Sequence, residues 1–393
     1  MENIKDKWLE IREFEDSIHD SSIFSTIIVI FEFMKYFLVC SLGFLGFVAS
    51  AQSLFAYMDF NNFFRVYKNG YAVQIDHQAI NNLALGDNIC LYKNFQNDLK
   101  MYDGKNSKIL TGQNTNYIVS DNIGAWNIGS LLYYVENGVS HAVTNFGGQY
   151  AVGDSIYVYQ DIQQNTLNAR YKGENFLLVQ TIEDISMAQK TGDNLVIFED
   201  NGGVLKVFWR GEISEIGISN ANNSFNFEVG CDVFAYNDPQ TNSLIVFDKG
   251  EFVEVSDRPA RKIKACRGFV VFEDNNGNLK KYQNGNVIEI ASFFNFWDAK
   301  DDVVIWGEAN STFTLKNDSP QKVVNYSVTD YQIKNDVIAF RTIVGGVGAF
   351  INGQFKEITN LTNNEYLING HGVMVTLTNR TVMIYDNGAI IRD

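Results

Sequence analysis

One unit of about 35 residues recurs along this chain, and no other feature limits its folding so strongly. Asp87 to Gly104 reads DNICLYKNFQNDLKMYDG, Asp193 to Gly211 reads DNLVIFEDNGGVLKVFWRG, and Asp232 to Gly250 reads DVFAYNDPQTNSLIVFDKG. Each copy opens on an aspartate, continues as two short apolar-aromatic runs around a polar turn, and closes on a turn glycine. A unit this small cannot bury its apolar side chains alone, so it must stack on neighbours of its own kind.

The turn glycine marks the period: Gly70, Gly104, Gly138, Gly173, Gly211, Gly250, Gly285, Gly353 and Gly388, at spacings of 34 to 39 residues with one double step. The double step hides a copy whose turn is Asn317-Asp318, residues that also tolerate left-handed backbone angles. Ten copies therefore run from about Ser53 to Ile391. The opening position holds Asp87, Asp121, Asp154, Asp193, Asp232, Asp302 and Asp336, with Ser53, Arg267 and His371 in the other three copies. Within a copy, Leu195–Glu199 and Leu205–Trp209 alternate with the period of a strand. Turns such as Asp200-Asn201-Gly202-Gly203 and Asp274-Asn275-Asn276-Gly277 close hairpins. A third run follows the turn glycine and a shorter fourth precedes the next aspartate. The chain is all-β, in modules of four short antiparallel strands.

This pattern resembles the β-propeller superfamily, whose four-stranded blades pack radially around a channel. The resemblance covers nearly the whole chain after Ala51 and implies architecture only. The Trp-Asp and Gly-His marks of WD40 blades, the double glycine of kelch repeats and the sialidase Asp-box are missing. Ten blades exceed the usual range of roughly four to eight. One wide ring or two smaller rings in tandem satisfy the count. The spacer Ser219–Ser224 is the loosest point between copies, but neither a proline-rich stretch nor a composition shift marks a boundary, which favours the single ring. The first copy begins at its second strand, so ring closure is expected to be irregular.

Tyr36 to Ala51 (YFLVCSLGFLGFVASA) has no charge, follows Met34-Lys35 and ends in Ala-Ser-Ala, the three parts of a secretory signal peptide. Residues 1–33 carry eight acidic and three basic side chains, a poor start for such a signal, and Met34 is the expected initiator. The expected organisation is an extension at 1–33, a signal at 34–51 and repeats at 52–393, in a protein exported to the periplasm or cell surface. The competing organisation is an uncleaved anchor lengthened by Ser21–Phe31, which would place Glu32 and Lys35 in the membrane. Only through this segment would the chain meet a membrane. Cys90, Cys231 and Cys266 then remain, an odd number. One bridge between Cys231 and Cys266 is conceivable, but buried free thiols are the preferred reading.

The net charge of −15 at pH 7 and the lack of a basic patch exclude nucleic acid as a partner. The densest basic stretch, Arg258–Arg267, reads as a charged strand edge. The repeated aspartates read as turn formers accepting backbone hydrogen bonds. The four histidines show no metal-ligand spacing, and neither nucleophile elbow, phosphate loop nor dinucleotide fingerprint occurs, so no cofactor is expected. Breaks in the repeat mark the candidate ligand contacts: Trp126 and Trp297, for stacking on a sugar or apolar ligand unless buried between blades, and His371 and Arg267 at opening positions. If those positions share a rim, Arg267 and Asp302 would pair. The expected function is a non-enzymatic binding or scaffolding module with a protein or carbohydrate partner. The alternative is a hydrolase or lyase acting on a polysaccharide or peptide, which would need carboxylates off the repeat pattern at the channel mouth.

Overall fold

The computed structural model describes residues 53–102, 104–180, 190–219 and 225–393. The leader and all of the spacer except Ser219 lie outside them. The described residues form nine four-stranded antiparallel sheets and one three-stranded sheet, each contiguous in sequence. Blade 2 comprises Asn82–Leu85, Cys90–Lys93, Leu99–Tyr102 and Ser107–Thr111, paired in that order from the channel outwards. The same order repeats through blade 10, whose strands are Asn364–Asn369, Gly372–Leu377, Val382–Asp386 and Ala389–Arg392. Blade 1 holds Phe55–Met58, Phe64–Lys68 and Tyr71–Asp76, with no innermost strand among the described residues. Among those residues, no helix is long and apolar enough to cross a membrane.

The arrangement is a single ring. Side chains of a strand point alternately to its two faces, and in each second strand both faces are buried against a neighbouring blade. In Leu195–Glu199, Val196 and Phe198 pack with Ile156 and Val158 of blade 4, while Leu195 and Ile197 pack with Phe234 and Tyr236 of blade 6. The same division builds an apolar cluster at every junction. The last joins Phe55, Tyr57 and Tyr67 of blade 1 to Met374, Val382 and Ile384 of blade 10 and closes the circle. Among the described residues no strand is exchanged across that seam. Ser53 Oγ donates to Asp386 (2.8 Å), Tyr67 OH donates to the same carboxylate (3.1 Å), and Tyr57 OH donates to Asp393 (2.5 Å). The Asn369 side-chain amide donates to the carbonyls of both Leu54 (2.7 Å) and Gly86 (2.8 Å), tying blade 10 to blades 1 and 2.

The marker glycines close the turn between the third and outermost strands with two successive positive φ angles, as at Asn284 (48°) and Gly285 (79°), the type I′ geometry that matches strand twist. Asn317 (49°) and Asp318 (58°) adopt it without glycine, so the hidden copy is a true blade. A Cβ added to Gly285 meets nothing within 4 Å, and backbone strain is then the whole cost of a substitution there. Gly285→Ala is expected to destabilise by about 1–2 kcal/mol and Gly285→Asn by less, measured by urea denaturation. Equal stabilities for the two variants would contradict the left-handed turn.

Candidate functional site

Antiparallel succession puts two kinds of connection at each end of the ring. One end carries the inner turns, between innermost and second strands, and the glycine turns. The other carries the tip turns, between second and third strands, and the connectors to the next blade.

At the first end the inner turns are linked from blade to blade by backbone bonds: Asn88 N to Asp121 O (2.8 Å), Ser155 N to Asp193 O (2.9 Å), Arg267 N to Asp301 O (2.8 Å) and Asp302 N to Asn335 O (3.1 Å). The turns satisfy their own backbone, as in Gly86 N to Ile89 O (2.9 Å), which releases the opening side chains for other partners. Asp154 accepts from Asp121 N (2.9 Å) and Asp87 from Gly370 N (2.9 Å), each across a blade boundary. These two opening aspartates therefore hold other blades and not their own turns, Asp154 to the adjacent blade 3 and Asp87 to blade 10 across blade 1. The own-turn role expected of them belongs to the tip turns, where Asp274 accepts from Asn276 N (2.8 Å) and Asn278 N (2.9 Å).

A polar network crosses this mouth. Lys334, the last residue of blade 9's innermost strand, contacts Asp87 of blade 2 (2.6 Å) and Asp121 of blade 3 (2.7 Å). Asn335 donates to Asp87 (2.7 Å) and accepts from Arg267 (3.0 Å), while Arg267 pairs with Asp302 (2.6 Å) as the shared rim requires. His371 Nδ1 pairs with Asp336, a contact that pushes the imidazole above its ordinary pKa. Burial opposes charge on Asp87, but Lys334 and hydrogen bonds from Asn335 and Gly370 outweigh it and hold the carboxyl below its usual range. Asp121 shares the same lysine and still moves upward, because burial and the neighbouring Asp87 and Asp301 charges prevail.

Beside this network the channel widens to a cavity of about 660 Å3 bordered by Asp121, Asp154, Asp193, Lys300, Lys334 and Gln332. Asp154 and Asp193 have no salt bridge among the described residues. Burial, then the charges of Asp193 and Asp121, push Asp154 up to about 7. Burial and then Asp301 push Asp193 up to about 6. Both occupy the repeat's opening position. No group of three or more metal-ligating side chains is assembled among the described residues.

Trp126 is 1% exposed, stacked on Tyr133 in the junction of blades 2 and 3. Trp297 is 5% exposed at the junction of blades 7 and 8, with Lys262 Nζ 4.1 Å from its ring centre. Arg267 and His371 lie at the mouth and the two tryptophans do not join them. The basic stretch is spent on neighbours: Arg261 reaches Glu273 (3.3 Å) and Lys264 reaches Asp298 (3.9 Å). Cys231 and Cys266 are free thiols linked through their backbones, Cys231 N to Cys266 O (3.1 Å). Lys334 and Asn335 escaped the sequence reading. Lysine at the last innermost-strand position of blades 8 and 9, where blades 2, 4 and 7 have Leu85, Val152 and Ala265, is the break in pattern that marks them.

The opposite end is apolar at its apices. Phe60, Phe95, Ile162 and the pair Ile343-Val344 stand on tip turns, and Phe146, Phe293 and Leu361 on connectors, with Phe60 70% and Phe293 82% exposed. Among the described residues no large apolar side chain is exposed between the strands of the inner and glycine turns, while Tyr71 (60% exposed) and Val139 (55%) follow directly on Gly70 and Gly138.

A closed ring of radial antiparallel blades around a channel is a β-propeller, here with ten blades. The chain belongs to the family of the 10-bladed beta propeller domain, which it matches over residues 48–390. No curated protein matches its sequence. Among solved structures it is similar to the computationally designed Ika8 protein (16% identity, 66% of this chain and 92% of that one, TM-score 0.34). It is also similar to Prp20p of Saccharomyces cerevisiae (9%, 64% and 78%, TM-score 0.33) and to PorZ, a surface component of the type-IX secretion system of Porphyromonas gingivalis (11%, 86% and 59%, TM-score 0.25). Likeness at this level carries no functional argument.

Two outcomes test the electrostatics of the mouth. Lys334→Met strands Asp87 and Asp121, whose side chains are 16% and 21% exposed, and is expected to lose on the order of 3–5 kcal/mol; a loss below 1 kcal/mol by urea denaturation would remove the network from the stability of the ring. Asp154 has a folded pKa above its unfolded value, so its ionisation weakens the fold progressively as pH rises from about 4 through about 7. Asp154→Asn is therefore expected to raise Tm at pH 8 and to give a smaller gain at pH 5 in scanning calorimetry, and an equal gain at both would contradict the shift.

Proposed function

We propose that this propeller is a non-enzymatic binding or scaffolding module that meets a protein partner with its tip-turn end. The single observation that carries this reading is the gathering of exposed Phe60, Phe95, Phe146 and Phe293 on turns and connectors of that one end. Exposed aromatics at loop apices are contact points a partner can cover, and recognition concentrates on loops held by a rigid scaffold. A protein partner buries such aromatics as anchors. The carboxylates with raised pKa at the other end are repeat-position residues whose shift follows from burial and mutual repulsion, which speaks for a structural origin over an acid-base pair dedicated to hydrolysis.

The reading includes export. The uncharged stretch Tyr36–Ala51 with its Ala-Ser-Ala end supports a periplasmic or surface location.

The test is photo-crosslinking on cell envelopes, with the crosslinker placed beside Phe60 or Phe95. A discrete crosslinked protein is expected, lost in the Phe60→Asp/Phe95→Asp double variant and retained in Asp154→Asn/Asp193→Asn. Crosslinks unaffected by the phenylalanine changes, or recovery of the protein solely from the cytoplasm, would each overturn the corresponding part of the reading.

A further inference from the structure

Between blades 9 and 10, on the tip-turn end, lies a slot of about 390 Å3. Its floor is Ile358 and Met383, 4% and 3% exposed, and Leu361, 53% exposed, stands at its rim. Two exposed side chains of opposite charge border it: Glu357 at the end of the outermost strand of blade 9 (Gln354–Thr359) and Arg392 at the end of the outermost strand of blade 10. Arg392 pairs in register with Met383, and so is fixed beside the floor. Neither charge has an ion pair among the described residues.

We propose that this slot receives an extended segment of a protein partner bearing one leucine-sized apolar residue, with a basic residue toward Glu357 and an acidic residue toward Arg392. Its volume is near the lower limit of about 300 Å3 for ligand sites, enough for one side chain with its backbone and too small for a folded element. Charge complementarity selects the occupant. A segment carrying both signs pairs Glu357 and Arg392 at once, whereas a lipid surface would bury two opposite charges without partners. The assignment rests on the reading that this end is the partner face and adds to it the chemistry of one contact.

The test uses acetylated, amidated synthetic peptides in a glycine-serine background, with lysine, leucine and aspartate in that order at several spacings. The same peptides with the charges exchanged, or with serine for leucine, are the controls. Binding to the full chain is read by fluorescence polarisation. Saturable binding is expected for one of the two charge orders, weakened about tenfold by exchanging the charges or by serine in place of leucine. The doubly reversed variant, Glu357→Lys with Arg392→Glu, alters only exposed side chains and is expected to prefer the opposite charge order. Peptides that bind without charge order, or an order unchanged in the reversed variant, would overturn the proposal. Failure of every peptide while Phe60→Asp/Phe95→Asp still abolishes crosslinking would reject the slot and leave the partner face standing; failure of both would reject both.

Discussion

Everything in this molecule depends on each blade being buried on two sides at once. The second strand of blade 5 sends Val196 and Phe198 one way and Leu195 and Ile197 the other, so the blade has no core of its own. Its apolar surface leaves water only when both neighbours are present. A linear stack would leave two such surfaces bare. The junction of Phe55, Tyr57 and Tyr67 with Met374, Val382 and Ile384 removes them both, which is the energetic reason for a ring.

Among the described residues, closure is made by side chains. Among those residues the seam holds no shared strand and the first blade contributes three strands, so hydrogen bonds do locally what a common sheet would do elsewhere. Asn369 bridges from blade 10 to the carbonyls of Leu54 and Gly86, and Asp386 gathers the hydroxyls of Ser53 and Tyr67. The inner turns extend the same tactic around the mouth. Because their backbones are satisfied internally and by the next blade, the opening side chains become the mortar between blades. Carboxylates from several blades then converge, and the ring answers part of that charge with Lys334 and Arg267. Asp154 and Asp193 have no ion pair among the described residues, and burial with the neighbouring carboxylates raises their pKa values.

The two ends differ because antiparallel succession sorts the connections by kind. The glycine turns favour asparagine and glycine for their positive φ angles, and the inner turns carry the aspartates that bond to other blades, which makes one end polar. Tip turns anchor themselves on one aspartate or asparagine, as at Asp59, Asn94, Asp200 and Asp274, and leave the apex positions beside it unconstrained, where Phe60 and Phe95 stand.

The ten units, the strand periods, the glycine turns and the substitute turn at Asn317-Asp318 were all legible in the chain, since each is governed by residues within one period of each other. The Arg267–Asp302 pair was legible too, being one repeat apart. The apolar end could have been found by sorting Phe60, Phe95 and Phe293 by their place in the period. Contacts between residues far apart in the chain could not. Lys334 meets Asp121 across 213 residues and Asn335 meets Asp87 across 248, distances at which local pattern holds no information. The local code therefore determined the blade, and with it the two chemically distinct ends. Tertiary structure alone decided that the blades close into one ring, which charges meet across its mouth, and which aspartates are left without an ion pair among the described residues, because closure is a property of how small rotations between neighbours add up around the circle.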